Sequence, residues 1–298
     1  MGFYAGLPYE YSVNGVPMVA AMVCDVMTSP DARGRGVFTK LGIYSTEAMK
    51  EIGFDLATGY PIRPEVIPGH VKAGWMIAFS LPLFGQFITT KSLLKSKKLG
   101  FLVPFADTVV KLHRLCLSMF SRADPAPSIE YFKLPKEAPR SLPSLAQFYK
   151  MWQQEIPISL RKTEQFLTWR LSAPGSQYHV ITLRAEDLVV GVLIARDEMR
   201  NNVPCTCIVD LAILKSYESC AGALLSENYR QAKERGADLI LIMCCRHLAK
   251  RLKFLRLGLI RTPFTFTFIL KNLSKKFDNQ FLLDETNWNL TWLDSDDL

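Results

Sequence analysis

No glycine-rich loop in this chain is followed by Lys-Ser or Lys-Thr, and no G-x-G-x-x-G stretch is completed by a third glycine. The phosphate loops of P-loop and dinucleotide proteins are therefore excluded at the level of motif. Cysteine forms no framework. The seven residues are an odd number without paired spacing, which predicts a reducing, cytoplasmic setting. Cys205 and Cys207 share one face of a predicted strand, whereas adjacent Cys244 and Cys245 would point to opposite faces, so no tetrahedral metal site is expected. Long apolar runs are lacking too. The longest uncharged run, Ala73 to Thr90, is interrupted by Pro82, Gly85 and Gln86, which predicts buried strands and not a membrane span. The first residues have neither a charged segment nor a long apolar one, so no signal peptide is expected. The net charge of +8 comes without a helix-turn-helix, zinc-finger or RNA-binding aromatic motif, so no nucleic-acid partner is expected.

What the chain does contain is a strand, a glycine turn and a helix start in immediate succession. The apolar run Met18 to Met27 leads into Thr28-Ser29-Pro30-Asp31-Ala32-Arg33-Gly34-Arg35-Gly36-Val37-Phe38, and helical spacing follows at Val37, Leu41, Tyr44, Ala48 and Ile52. Such a junction gathers unpaired backbone N–H groups at the positive end of a helix. Gly34 and Gly36 admit close approach by a phosphate, and Arg33 and Arg35 add charge. The expected ligand is a phosphorylated cofactor.

This stretch resembles the pyrophosphate loop of the GNAT acetyltransferases, R/Q-x-x-G-x-G/A, with Arg33, Gly34, Arg35, Gly36, Val37 and Phe38 filling it in order. Phe38 departs from the usual Gly or Ala. The order of elements that follows is also similar to the family's, including Gly74-Trp75 in the place of its common Gly-Phe pair. Two local patterns then recur. Lys50-Glu51-Ile52-Gly53-Phe54-Asp55-Leu56 is echoed 183 positions on by Lys233-Glu234-Arg235-Gly236-Ala237-Asp238-Leu239, and Lys72-Ala73-Gly74-Trp75 is echoed 184 positions on by Arg256-Leu257-Gly258-Leu259. A near-constant offset predicts two related lobes. The fold expected is α/β with mixed sheets: two tandem GNAT folds, the first short at its N-terminus and the second degenerate.

The first lobe is expected over 1–122, a proline-rich linker over 123–143 and the second lobe over 144–298. Before its cofactor strand the first lobe has room only for a hairpin, Gly2–Tyr4 into Tyr9–Val13, with Asn14-Gly15 as a turn signal. Either the gene is truncated or begins at an internal Met, or this lobe is naturally minimal. In the second lobe the loop positions are taken by Ser216, Tyr217 and Ser219, so pyrophosphate binding is not expected there. The connector 91–122 is strongly basic: Lys91, Lys95, Lys97, Lys98, Lys111, Arg114 and Arg122 against Asp107 alone carry +6 of the chain's +8. It reads as a solvated connector packed on both lobes or as a contact with an anionic membrane.

The resemblance implies acetyl-CoA, or another acyl-CoA, as cosubstrate and a small-molecule amine as acceptor. It implies pantetheine pairing and carbonyl polarisation at Val26, Met27 and Thr28, with Asp25 as the base, His70 as the acid toward the leaving thiolate and Tyr60 as a second acid. Asp25 reads equally as a solvated strand-end charge, and His70 as a cap of a short helix. The chain is similar in plan to tandem GNAT proteins of the Eis type, and its ending, Asn287-Trp288-Asn289-Leu290-Thr291-Trp292, resembles GNAT proteins found beside surface-polysaccharide genes, which implies an amino-sugar acceptor. The competing expectation is a non-catalytic CoA-binding or scaffold protein.

Overall fold

The Asn14-Gly15 pair turns the chain back on itself: both residues have positive φ, 50° and 82°, the requirement of the tightest hairpin turn. They join β1 (Gly2–Val13) to β2 (Val16–Thr28) with Val13 opposite Val16. The hairpin is therefore made between β1 and β2. Residues 2–13 are one continuous strand, because Leu7 and Pro8 also pair, with Met22 and Ala21. This computed structural model describes residues 1–120, 127–134 and 138–297.

After β2, α1 (Val37–Glu51) turns its buried Gly42, Thr46 and Met49 to the sheet, and β3 (Leu56–Gly59) follows with every residue buried. Next come α2 (Ile67–Lys72), β4 (Met76–Phe87), α3 (Lys91–Ser96) and α4 (Val103–Phe120). The second half contributes β5 (Ser128–Leu134), α5 (Ala138–Trp152), β6 (Ile158–Leu160), α6 (Glu164–Leu171), β7 (Tyr178–Ala185), β8 (Leu188–Arg200), β9 (Val203–Ile213), α7 (Ala221–Glu234), β10 (Leu239–Met243), α8 (Arg246–Arg251), β11 (Ile260–Asn272), α9 (Asn279–Leu283) and β12 (Trp288–Asn289). Strand β5 and the start of α5 fall inside the stretch read as a linker. Prolines flank Ser128–Leu134, but its backbone pairs along its whole length with β7. Arg122 and the prolines at 125 and 135 lie outside the described residues.

All strands belong to one mixed sheet in the order β12-β6-β1-β2-β3-β11-β4-β10-β9-β8-β7-β5. The order is symmetric about the antiparallel pair β11·β4. On one side lie β3, β2 and β1; on the other lie their counterparts β10, β9 and β8. The central strands are exchanged. β4, from the first half, pairs with β10, while β11, from the second, pairs with β3. The same connections appear twice. The carbonyl of Asp55 accepts from Leu273 and Ser274 N–H just after β11, and the carbonyl of Asp238 accepts from Ile88 and Thr89 N–H just after β4. The Asp-Leu pairs of the sequence echo thus begin equivalent strands, and a division of the chain near 122 does not divide the sheet.

One face of the sheet carries a core that spans both halves, from Tyr11, Met22 and Tyr60 to Trp152, Trp288 and Trp292. On the other face are two smaller cores, one under α1 with Met49 and Trp75, the other under α7 and α8 with Leu224 and Phe254.

Candidate active site

Strands β2 and β3 run parallel from Ala20↔Leu56 to Val23↔Gly59 and then part. β3 ends there, while β2 continues to Thr28, so the β3-side edge of Cys24–Thr28 has no strand partner. This unpaired stretch is also bulged. Phe3 pairs with Met27 and Ala5 with Cys24, which leaves Asp25 and Val26 opposite Tyr4 alone, and Asp25 takes φ 48°. A bulge re-aims backbone groups and side chains at the point where it occurs. Along this stretch alternate residues turn their backbone N–H and C=O away from β1, toward a ligand lying along the cleft.

The cleft ends at the glycine turn. Pro30–Ala32 forms one tight turn, and Gly36, with φ 72°, is the N-cap of α1 without any side-chain cap. Gly34 has φ 75°. A Cβ built on either glycine would meet nothing within 4 Å, so what these positions require of glycine is the left-handed backbone and open access from outside. Arg33 and Arg35 are exposed and have no carboxylate partner among the described residues. The first-turn N–H groups of Val37, Phe38 and Thr39 are left for an anion. Phe38, the departure from the family's pattern, turns away from this site. Its ring lies 2.6 Å from where a Cβ of Gly69 would stand and meets the His70 ring edge-on at 5.0 Å.

His70 lies inside the fold, on α2. It is buried among Tyr4, Phe38 and Trp75, its Nδ1 has no partner, and burial pushes its imidazole down to about 4. Near neutral pH the ring is uncharged and holds α2 against the start of α1. A base whose pKa is lower folded than unfolded costs stability when it must be protonated. Stability is thus full above about pH 6.5 and falls toward pH 4, by of order 3 kcal/mol from this residue. Melting curves across that range should drop more steeply for the wild type than for His70→Leu; parallel curves would show that the ring is not held neutral by the fold.

Tyr60 follows directly on the last residue of β3. It is buried, its hydroxyl neighbours those of Tyr11 and Thr58, and none of the three meets hydrogen-bonding geometry. Burial raises its phenol well above the usual range, so it stays protonated. Of the two expected acids, Tyr60 is the one that holds a proton at neutral pH.

One acidic group was not legible in the sequence. The C-terminal tail crosses the shared core and returns to the first half, where Asp296 interacts electrostatically with Asp25 and raises the thiol of Cys24 together with it. The tail is held by Arg170 Nη2, which donates to the Ser295 carbonyl at 3.0 Å, and by Arg200, paired with Asp297. Asp296 is exposed as a residue; partial desolvation of its carboxyl first, and then Asp297 and Asp25, raise it. The tail thus brings a second exposed carboxylate, Asp296, within electrostatic reach of Asp25 at the bulge.

The equivalent place in the second half is closed. β9 and β10 pair from Cys205↔Leu239 to Ile208↔Ile242 and then part, but here the tail fills the gap: Thr291 bridges to Cys244, and Cys245 N–H donates to the Leu290 carbonyl. Asp210, just past the bulge between β8 and β9, is wholly buried. It accepts from Lys162 Nζ at 2.8 Å, Tyr149 OH at 2.5 Å and Thr291 Oγ1 at 3.0 Å, while Lys162 also pairs with buried Asp294 at 3.6 Å. Where the first half has its glycines, the second has the turn Lys215–Cys220, with Glu218 paired to Arg251 and Glu155 capping Lys215 N–H. Carboxylates occupy the place a phosphate would need.

Among the described residues, one group of possible metal donors comes together: Cys245, His247 and Glu285, within 4.8 Å of one another. Glu285 is already engaged, accepting the Arg246 N–H and pairing with its guanidinium.

Residues 1–78 match the family model of the acetyltransferase (GNAT) domain. That match contains β1, the bulged β2, the glycine turn and α2. No curated protein matches the sequence. Among solved structures, the chain is similar to a GCN5-related N-acetyltransferase from Anabaena variabilis (TM-score 0.59, 13% identity, 91% of this chain and 59% of that one). It is similar to a probable N-acyltransferase from Enterococcus faecalis (0.60, 10%, 92% and 59%). It is also similar to Saccharomyces cerevisiae N-myristoyltransferase with bound myristoyl-CoA (0.61, 12%, 91% and 64%). The chain spans about three fifths of the length of these structures. The acetyltransferase (GNAT) domain match thus covers the first part of the chain, which holds the glycine turn, and the likeness to solved structures shows a shared fold across nearly all of it.

Proposed function

We propose that the chain is an acyl-CoA-dependent N-acyltransferase that moves an acetyl group from acetyl-CoA to the primary amine of a small molecule or amino sugar. The observation that carries this reading is the cleft between β2 and β3, open along a bulged strand edge and ending in an uncapped glycine turn. Pyrophosphate is bound by Gly34, Gly36 and the first turn of α1, with Arg33 and Arg35 supplying charge. The pantetheine arm lies along Val26–Thr28, where a backbone N–H polarises the thioester carbonyl. The amine nitrogen attacks that carbon, its proton passes to a carboxylate at the bulge, the C–S bond breaks, and the thiolate takes up a proton from Tyr60 or water. We favour Asp296 over Asp25 for the base role, because the hydrogen bond from Arg170 and the Arg200–Asp297 pair hold the tail that carries it.

Asp296→Asn is expected to lower kcat about 10²-fold with little change in CoA affinity, and to change the acidic limb of the pH–rate profile. If Asp25→Asn does this and Asp296→Asn does not, the roles are reversed. Turnover of a broad amine panel is the direct test. CoA binding without turnover of any amine would favour a cofactor-binding protein without catalysis.

A further inference from the structure

Helix α4 stands at the margin of the fold with a wide apolar face turned outward. Asp107 fixes its orientation. The carboxylate accepts from Thr89 Oγ1 at 2.7 Å, Thr90 N–H at 2.7 Å and Thr90 Oγ1 at 2.8 Å, at the end of β4. Val103, Ala106 and Val110 are partly buried on that same side. The opposite side presents Phe105, Val109 and Leu112, continued by Phe101 in the turn before the helix. These residues recur every three or four positions and so form one stripe. Phe101 is 77% exposed and Phe105 74%. Two phenylalanines so open to water on one stripe mark a surface that is covered in use.

The charge around the stripe says by what. Lys91 and Lys95 on α3, Lys97 and Lys98 in the turn that follows and Lys111 on α4 are all exposed, and none forms an ion pair among the described residues. The only acidic residue of the segment, Asp107, is turned inward and engaged. A stripe of aromatic and aliphatic side chains, in a segment whose exposed charges among the described residues are all lysines and whose one carboxylate is engaged, complements a bilayer surface: acyl chains accept the phenylalanines and anionic headgroups the lysines. No helix among the described residues is long and apolar enough to cross a membrane.

We infer that α3, the turn after it and the outer face of α4 form a docking surface for an anionic lipid membrane, on which the protein lies without spanning it. This inference does not depend on the catalytic reading. It is tested by co-sedimentation of the full chain with vesicles of phosphatidylcholine, with and without phosphatidylserine. Binding to the phosphatidylserine vesicles is expected, weakened by high salt and at least about tenfold lower on phosphatidylcholine alone. Phe101→Ser with Phe105→Ser should lower the partition about tenfold or more. Lys95→Glu, Lys97→Glu and Lys98→Glu together should lower it about a hundredfold. All five side chains are exposed, so both variants should keep the wild-type unfolding curve. Absence of wild-type binding to either vesicle, or equal partition of wild type and both variants, would overturn the inference. Self-association without lipid that the double serine variant abolishes would also overturn it, and would assign the face to contact between copies of the chain.

Discussion

Arg33→Glu combined with Gly36→Glu is expected to abolish CoA binding, measured by calorimetry as the loss of a single site per chain. The double change acts on the turn in three ways. It reverses the charge of an exposed guanidinium, places a second carboxylate at the N-cap of α1, and puts a side chain at φ 72°, where glycine carries no penalty. Reversing one charge and adding another near a pyrophosphate amounts to about 3 kcal/mol at an effective dielectric suited to a protein surface, more than a hundredfold in affinity. The fold should survive, because a Cβ at Gly36 meets no neighbouring atom and Arg33 is solvent-exposed. A matched change in the second half, Ser216→Glu with Ser219→Glu, should leave binding unaltered, since the tail occupies that cleft. Retention of full affinity by the Arg33/Gly36 variant would remove the glycine turn from the cofactor site.

The second large effect is on stability. Lys162→Met should destabilise the protein by about 3–5 kcal/mol, because it leaves Asp210 and Asp294 buried without a counter-charge. Burial alone would lower the ammonium's pKa; Asp210 and Asp294 raise it instead, so the lysine stays charged within the core. Adding Asp210→Asn and Asp294→Asn to Lys162→Met should recover much of the loss, since the orphaned charges are then gone. Denaturant unfolding of the single and triple variants makes the comparison. Equal stability of Lys162→Met and wild type would mean that the carboxylates accept protons without cost. The single variant should also lower kcat more than CoA affinity, because the network holds the tail that carries Asp296.

How far such a site can be read from sequence depends on the range of the contacts that build it. The glycine turn, its strand and its helix are contiguous, so the strand, the left-handed turn at Gly34 and Gly36 and the helix start were legible with no neighbour known. The Asn14-Gly15 turn and the equivalence of Asp55 and Asp238 were legible for the same local reason. The burial of His70 was not legible, because a short motif fixes the position of a residue and says nothing of its surroundings; the three aromatic rings around it come from β1, α1 and the residue before β4. Lys162, Asp210 and Asp294 each look ordinary in sequence and become a network only when β6, β9 and the tail meet. The exchange of β4 and β11 is invisible for a related reason. Both are apolar strands, and apolar character alone does not say which neighbour a strand takes.

That exchange makes the chain an obligate fusion. Each half seats a strand that belongs to the other, so a fragment ending near residue 120 would hold β3 beside a vacant slot, and the remainder would hold β10 beside another. Neither piece has a finished hydrophobic layer, yet the two expressed together contain every strand and can reassemble as a complementing pair. The same geometry lets a ligand held by one half protect the other from melting. A ligand present at a hundred times its dissociation constant contributes about 2.7 kcal/mol, and if the shared sheet melts as one unit α7 and α8 gain from it as much as α1 does.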